Sequence, residues 1–141
     1  MKIIIEGTDG VGKSTTIKEL KKYNILCQDR SRDIISKYMM FNIDMETRVN
    51  RYYEYLKNND CIVIILINND KEELMKRIYS RDKISDFDLQ AYEYNLLYKE
   101  TYEYMKEKNM LLNKLFIVDV TGLNLEQQVE KVKKLILERR K

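Results

Sequence analysis

Eight consecutive residues, Gly7-Thr8-Asp9-Gly10-Val11-Gly12-Lys13-Ser14, constrain this chain more than any other stretch of it. They follow three isoleucines, Ile3 to Ile5, and lead into a segment with Ile17 and Leu20 at helical spacing. Glycines in such a turn let the backbone wrap until its N–H groups converge, at points where a Cβ would block an anion. The helix behind the turn adds free N-terminal amides and a favourable dipole. Lys13 supplies a compact cation for terminal phosphates, and the Ser14 hydroxyl suits Mg²⁺. Average composition produces this pattern by accident in on the order of one chain in a few hundred. Here only four glycines occur in 141 residues, and three of them lie in this turn. The motif therefore predicts nucleoside-triphosphate binding through Gly7, Asp9, Gly10, Val11, Gly12, Lys13, Ser14 and the following Thr15.

The rest of the composition narrows the chemistry. The chain contains no histidine, which removes catalytic triads, His-based acid–base catalysis and His-ligated metals. Cys27 and Cys61 are the only cysteines; both sit in apolar runs far apart, so neither a disulfide framework nor a zinc site is expected. A net charge of +3 is too small to argue for a nucleic-acid surface. The apolar start is too short for a signal peptide, because Glu6 ends it. The longest later apolar run, 62 to 67, falls far below the ~20 residues that span a bilayer. The expectation is a cytosolic, cytoplasmic domain whose partner is a small nucleotide rather than nucleic acid or membrane, with a homodimer as the assembly to consider.

Continuous apolar runs at 2 to 6, 61 to 67 and 115 to 120 predict buried strands, with a weaker fourth at 24 to 28. Helical periodicity predicts helices at 14 to 23, 32 to 41, 44 to 58, 70 to 80, 86 to 108 and 125 to 139. Uninterrupted apolar strands alternating with helices indicate a parallel sheet covered on both faces. The predicted fold class is α/β, a three-layer P-loop NTPase-type domain over 1–141 with a small parallel sheet of about four strands.

Two fragments that could signal a GTPase are misplaced. Asn113-Lys114 lacks the aspartate of a guanine reader and precedes a strand. Asp119-Val120-Thr121-Gly122 follows the last strand, where no γ-phosphate contact is expected. A GTPase is disfavoured.

Glu6-Gly7-Thr8-Asp9-Gly10-Val11-Gly12-Lys13-Ser14-Thr15 closely resembles the thymidylate kinase form of the P-loop, E-G-x-D-G-x-G-K-S/T-T. Asp29-Arg30-Ser31 is similar to that family's D-R-Y/H/S motif, and residues 36 to 42 resemble a variant of its S-x-x-A-Y-Q helix. The run 62 to 66 followed by Arg77-Ile78-Tyr79-Ser80-Arg81 resembles the strand and R-I-x-x-R lid of thymidylate and deoxynucleoside kinases, the lid covering about 76–88. The resemblance implies phosphoryl transfer from ATP, with Mg²⁺, to a nucleoside monophosphate. It gives Lys13 the β/γ-phosphates and brings Asp9 near the acceptor sugar. Asp29 would hold Mg²⁺ through water, alongside Ser14, or orient the acceptor. Arg30 would grip the acceptor phosphate or the transferred group, where a planar fork of donors fits. Arg77 and Arg81 would serve adenine and the transferring phosphoryl.

Plainer roles are open beside these. Glu73 lies four residues before Arg77 and could pair with it on the helix surface, and Asp9 could shape the turn. Tyr52, Tyr53 and Tyr55 at helical spacing read as packing, leaving Tyr38 as the candidate for a base contact. Asp29 follows Thr15 by only fourteen positions, an interval in which the resembled family places a second strand and further helices of the acceptor pocket. The acceptor thus stays open between thymidine monophosphate and another deoxynucleotide. Two other classes remain: an ATP-binding regulatory module acting through a protein partner with a degenerate acceptor site, and a slow ATPase. The first would bind ATP without transfer, the second would release phosphate without an acceptor.

Overall fold

A computed structural model describes residues 1–31, 34 and 37–139. The predicted helix at 32 to 41 and the motif position Ser36 fall partly or wholly outside the described residues. Four parallel strands, β1 (Lys2–Glu6), β2 (Gln28–Asp29), β3 (Cys61–Ile67) and β4 (Leu115–Asp119), lie in the order β2-β1-β3-β4. The helices whose bounds lie within the described residues are α1 (Lys13–Lys21), α2 (Met45–Asn58), α3 (Lys71–Tyr79), α4 (Asp86–Leu89), α5 (Ala91–Glu107) and α6 (Leu125–Arg139).

The apolar runs form the sheet because its central strands are covered twice. All seven residues of β3 are buried, and alternation along the strands divides them between two cores. Ile3, Ile5, Ile62, Ile64 and Leu66 pack with residues of α1, α3 and α6 on one face. Ile4, Val63, Ile65 and Ile67 pack with α2 and α5 on the other. Each such side chain contributes on the order of 1.5–3 kcal/mol by leaving water. The three-layer α/β arrangement read from the sequence is therefore the one observed. Among the described residues no helix is long and apolar enough to cross a membrane.

Helix starts follow local chemistry. Asp44 accepts the Thr47 N–H at 2.8 Å and Asp70 accepts the Glu73 N–H at 3.1 Å, each filling an N-cap that would otherwise leave an amide unpaired. Arg48, almost fully buried, donates to the carbonyls of Tyr38, Met40 and Ile43 and so closes the loop ahead of α2.

Several element limits differ from the sequence reading, the helices at 14 to 23, 44 to 58 and 70 to 80 by one or two residues. The weak strand at 24 to 28 is reduced to Gln28–Asp29, because Asn24 takes a left-handed conformation (φ 61°) and ends the turn that follows α1. The predicted long helix at 86 to 108 is two helices. Ser85 and Asp88 form a reciprocal capping box that starts α4, and the chain leaves helical geometry at Gln90 before α5. The last strand ends at Asp119, one residue early.

Candidate active site

The glycine-rich turn leaves β1 and enters α1 through residues in backbone conformations that residues with side chains rarely adopt. Gly7, Gly10 and Gly12 have φ of 141°, 89° and 80°. A Cβ on Gly7 would stand 2.7 Å from the Leu66 carbonyl oxygen, and one on Gly12 would stand 2.9 Å from Gln128 Nε2. Tight approach to β3 and α6 therefore fixes the loop's curve. Gln128, buried on α6, donates from Nε2 to the Val11 carbonyl and the Thr16 hydroxyl, both at 2.8 Å. Val11 itself points into the core, so it serves the loop through its backbone.

Lys13 is nearly buried, and its Nζ lies 3.1 Å from Asp29 Oδ1 at the end of β2. Ser14 and Thr15 are exposed on the first turn of α1. Arg30, immediately after β2, has φ 63°; its Nη2 donates to Asp9 Oδ1 at 3.0 Å and the Gly7 carbonyl at 3.3 Å. Arg81 donates to Asp88 Oδ1 at 3.2 Å and stands 3.9 Å from Asp9 Oδ2. Hydrogen bonding from the Ser85 N–H first, with Arg81 contributing, holds the Asp88 carboxyl below the usual carboxylate value. Arg77 pairs with Glu73 at 2.9 Å and also donates to the Gly10 carbonyl at 3.2 Å. The pairing of Arg77 with Glu73 read from the sequence is thus present, and a contact with the loop backbone accompanies it.

Part of this set opens onto one depression, whose lining includes neither Asp29 nor Arg30. Thr8, Asp9, Lys13, Ser14, Arg77 and Arg81 line a cavity of about 220 Å³. A second, of about 250 Å³, lies between Arg77, Leu125 and Gln128 and shares Gly12, Thr15 and Arg77 with the first. The two cavities so adjoin at Gly12, Thr15 and Arg77. The glycine cradle, a lysine and a helix N-terminus fit a nucleotide phosphate tail. The Ser14 hydroxyl with one nearby carboxylate fits Mg²⁺, which takes few protein ligands when phosphates supply the rest.

The candidate base contact Tyr38 lies elsewhere, with the Arg51 guanidinium 5.7 Å from its ring centroid. Beside the Arg81–Asp88 pair the aromatics are instead Phe87, Tyr94 and Phe41, with Phe87 and Phe41 4.6 and 4.4 Å from the Tyr94 ring. Tyr52 is fully buried, as its packing role requires. Asp119 of the misplaced D-x-x-G accepts from Thr121 and Asn69, and Lys114 donates to the carbonyls of Leu56 and Asn59. Both GTPase-like fragments hold turns together.

Sequence reasoning missed Glu6 as more than a motif letter. Its side chain is fully buried; Oε1 accepts the Ser31 N–H at 2.8 Å and Oε2 accepts the Tyr52 hydroxyl at 3.0 Å. Tyr98, also buried, lies against it. Burial pushes the Glu6 carboxyl up from 4.5 to about 7, against the opposing pull of those hydrogen bonds and Arg30. The available signal was alternation: Glu6 shares its strand face with Ile4 and must enter the same core. A raised folded value favours the protonated acid in the folded state, so the benefit is complete below about 4.5 and is lost as pH rises to about 7. Across that window wild type should lose about 3 kcal/mol of stability that Glu6→Gln keeps. Urea unfolding of both proteins at about pH 5 and about pH 8 checks this; parallel stabilities would refute it.

No protein-family model matches the chain, and no curated protein does. Among solved structures, it is similar to deoxyadenosine kinase from M. mycoides with the products dCMP and a flexible dCDP bound, at 22% identity, a TM-score of 0.53 and full coverage of both chains. It also aligns with an uncharacterized protein from Eubacterium ventriosum ATCC 27560, at 14% identity and a TM-score of 0.49, covering 98% of each chain. What the likeness to the kinase shows is the fold: this chain has an α/β fold similar to that of the kinase, built on a four-stranded parallel sheet.

Proposed function

We propose that the chain is a nucleotide kinase of thymidylate kinase type, which moves the γ-phosphoryl of ATP to a (deoxy)nucleoside monophosphate. One observation carries the reading: the Asp29-Arg30 dipeptide lies against the P-loop, Asp29 on Lys13 and Arg30 on Asp9 and Gly7. A loop that only binds nucleotide has no use for a second cation and a second carboxylate at its mouth. Phosphoryl transfer does, because it proceeds by positioning and by neutralising charge on the moving group.

The donor side follows from the two adjoining cavities. Loop amides and Lys13 would hold the β- and γ-phosphates, and adenine would enter between Arg77 and Leu125. Mg²⁺, with Ser14 as ligand and Asp29 through water, would supply charge neutralisation on the phosphate oxygens. An oxygen of the acceptor phosphate attacks the γ-phosphorus while the bond to the β–γ bridging oxygen breaks, leaving ADP and a diphosphate. Arg30 and Arg81, both within reach of Asp9, flank the place where that transfer would occur. The kinase named above, similar in fold, is a deoxyadenosine kinase with dCMP as product, which favours an acceptor carrying deoxyribose, and the motif resemblance supports a monophosphate.

A coupled assay of ADP formation tests this, with ATP, Mg²⁺ and a panel of nucleoside and deoxynucleoside monophosphates against a no-acceptor control. ADP that appears only with particular monophosphates is the expected result and names the substrate. ADP without acceptor would make the protein an ATPase. Tight ATP binding with no turnover would make it a binding module acting through a protein partner.

A further inference from the structure

We infer that Glu6 is a positioning residue that sets Arg30 over the P-loop by fixing the peptide on its C-terminal side. The inference rests on the kinase reading for its catalytic consequence, but its structural content stands on hydrogen bonds alone. Arg30 is a non-glycine residue in left-handed backbone (φ 63°), a strained state that persists only where the surroundings determine it. Both amides bracketing it are tied to β1. The Arg30 N–H donates to the Ile5 carbonyl at 2.9 Å, and the Ser31 N–H donates to Glu6 Oε1 at 2.8 Å. Consecutive residues of one strand therefore hold consecutive amides of the other segment. That pair of ties turns the Arg30 guanidinium back toward Gly7 and Asp9, away from an extended path along β2.

Glu6 is placed to do this because it is itself immobile. It is the last residue of β1 and the one before Gly7. Tyr52 of α2 holds its other oxygen, Tyr98 of α5 is buried against it, and the charge of Arg30 acts on it. A purely structural buried carboxylate would have no reason to spend its acceptor on the one amide that orients a site arginine. Carboxylate reach, rather than negative charge, is the operative property: the Ser31 amide needs an oxygen at that distance.

Glu6→Gln and Glu6→Asp separate the two. Glutamine keeps the oxygen in place and removes the charge; aspartate keeps the charge and withdraws the oxygen by one methylene. Hydrogen exchange at the Ser31 amide, followed by NMR, is expected to stay within about threefold of wild type in Glu6→Gln and to quicken at least about tenfold in Glu6→Asp. With the acceptor found by the panel above, kcat should fall on the order of 30-fold in Glu6→Asp while KM for ATP moves less than about threefold, and Glu6→Gln should restore most of it. The inference is overturned if Glu6→Asp keeps wild-type exchange and kcat, or if Glu6→Gln is the impaired variant. Loss of kcat and ATP affinity in equal measure would overturn it too, by reducing Glu6 to a fold residue. If wild type transfers phosphate to no acceptor, the kinase reading fails, and Ser31 exchange in the two variants still decides whether Glu6 holds this peptide.

Discussion

Lys13→Ala is expected to abolish phosphoryl transfer, lowering turnover by on the order of 10³-fold or more. The expectation comes from placement. Lys13 is the first residue of α1, nearly buried, and its ammonium stands between the loop amides and Asp29. A cation removed from bulk water interacts more strongly with phosphate than an exposed one, because screening is weaker. Its removal also leaves Asp29, half exposed, facing the phosphates as an unopposed negative charge. Alanine is a good helix former at this position, so the fold should survive, and circular dichroism gives the control. Lys13→Arg separates charge from shape: the longer fork cannot occupy the ammonium's place, and activity should stay low. The measurement is kcat for ADP formation beside ATP affinity by calorimetry. Unchanged transfer in Lys13→Ala would remove the P-loop from the mechanism altogether.

Much of this site was legible in the sequence because its parts are local. Three glycines, Lys13 and Ser14 lie within eight consecutive residues, where a tight turn and a helix start set the requirements. The central strands were legible for the same reason: a run buried on both faces has no polar residue to interrupt it, as β3 shows from Cys61 to Ile67. The helices read from 44 and 70 begin one residue later, with Asp44 and Asp70 as their N-caps. What escaped depended on distance along the chain. Gln128 braces Val11 across 117 positions, and no pattern near either residue announces it. The chain of Arg30, Asp9, Arg81 and Asp88 joins three separate segments. The edge strand β2 was overestimated because its pairing is confined to two residues opposite Ile4 and Ile5, so tertiary contact, not propensity, sets its length. Glu6 was hidden by its chemistry: a charged residue ending an apolar run reads as the edge of the core, whereas here the carboxyl lies inside it.

Arg30→Ala is expected to lower turnover by on the order of 10²–10³-fold while ATP affinity changes less than about threefold. The asymmetry follows from where Arg30 reaches. Its guanidinium meets Asp9 and the Gly7 carbonyl at the mouth of the loop, whereas Arg77, Leu125 and Gln128 line the far cavity where a donor base would lie. A group that contacts the moving phosphoryl, or the acceptor phosphate, stabilises charge that the bound donor alone does not present there. The half-exposed pair with Asp9 adds little stability of its own, since solvent screens it. Arg30→Lys should recover little, because a point charge cannot supply two parallel donors. Arg30→Gly tests the competing explanation that a distorted backbone causes the loss. Glycine accepts φ 63° without the strain an alanine carries there, so this variant should be at least as stable as Arg30→Ala and equally inactive. Were activity to return in Arg30→Gly, backbone geometry would be the cause and the guanidinium would have no part in transfer. Equal losses of turnover and ATP affinity in Arg30→Ala would instead assign Arg30 to bracing the loop through its bond to Gly7.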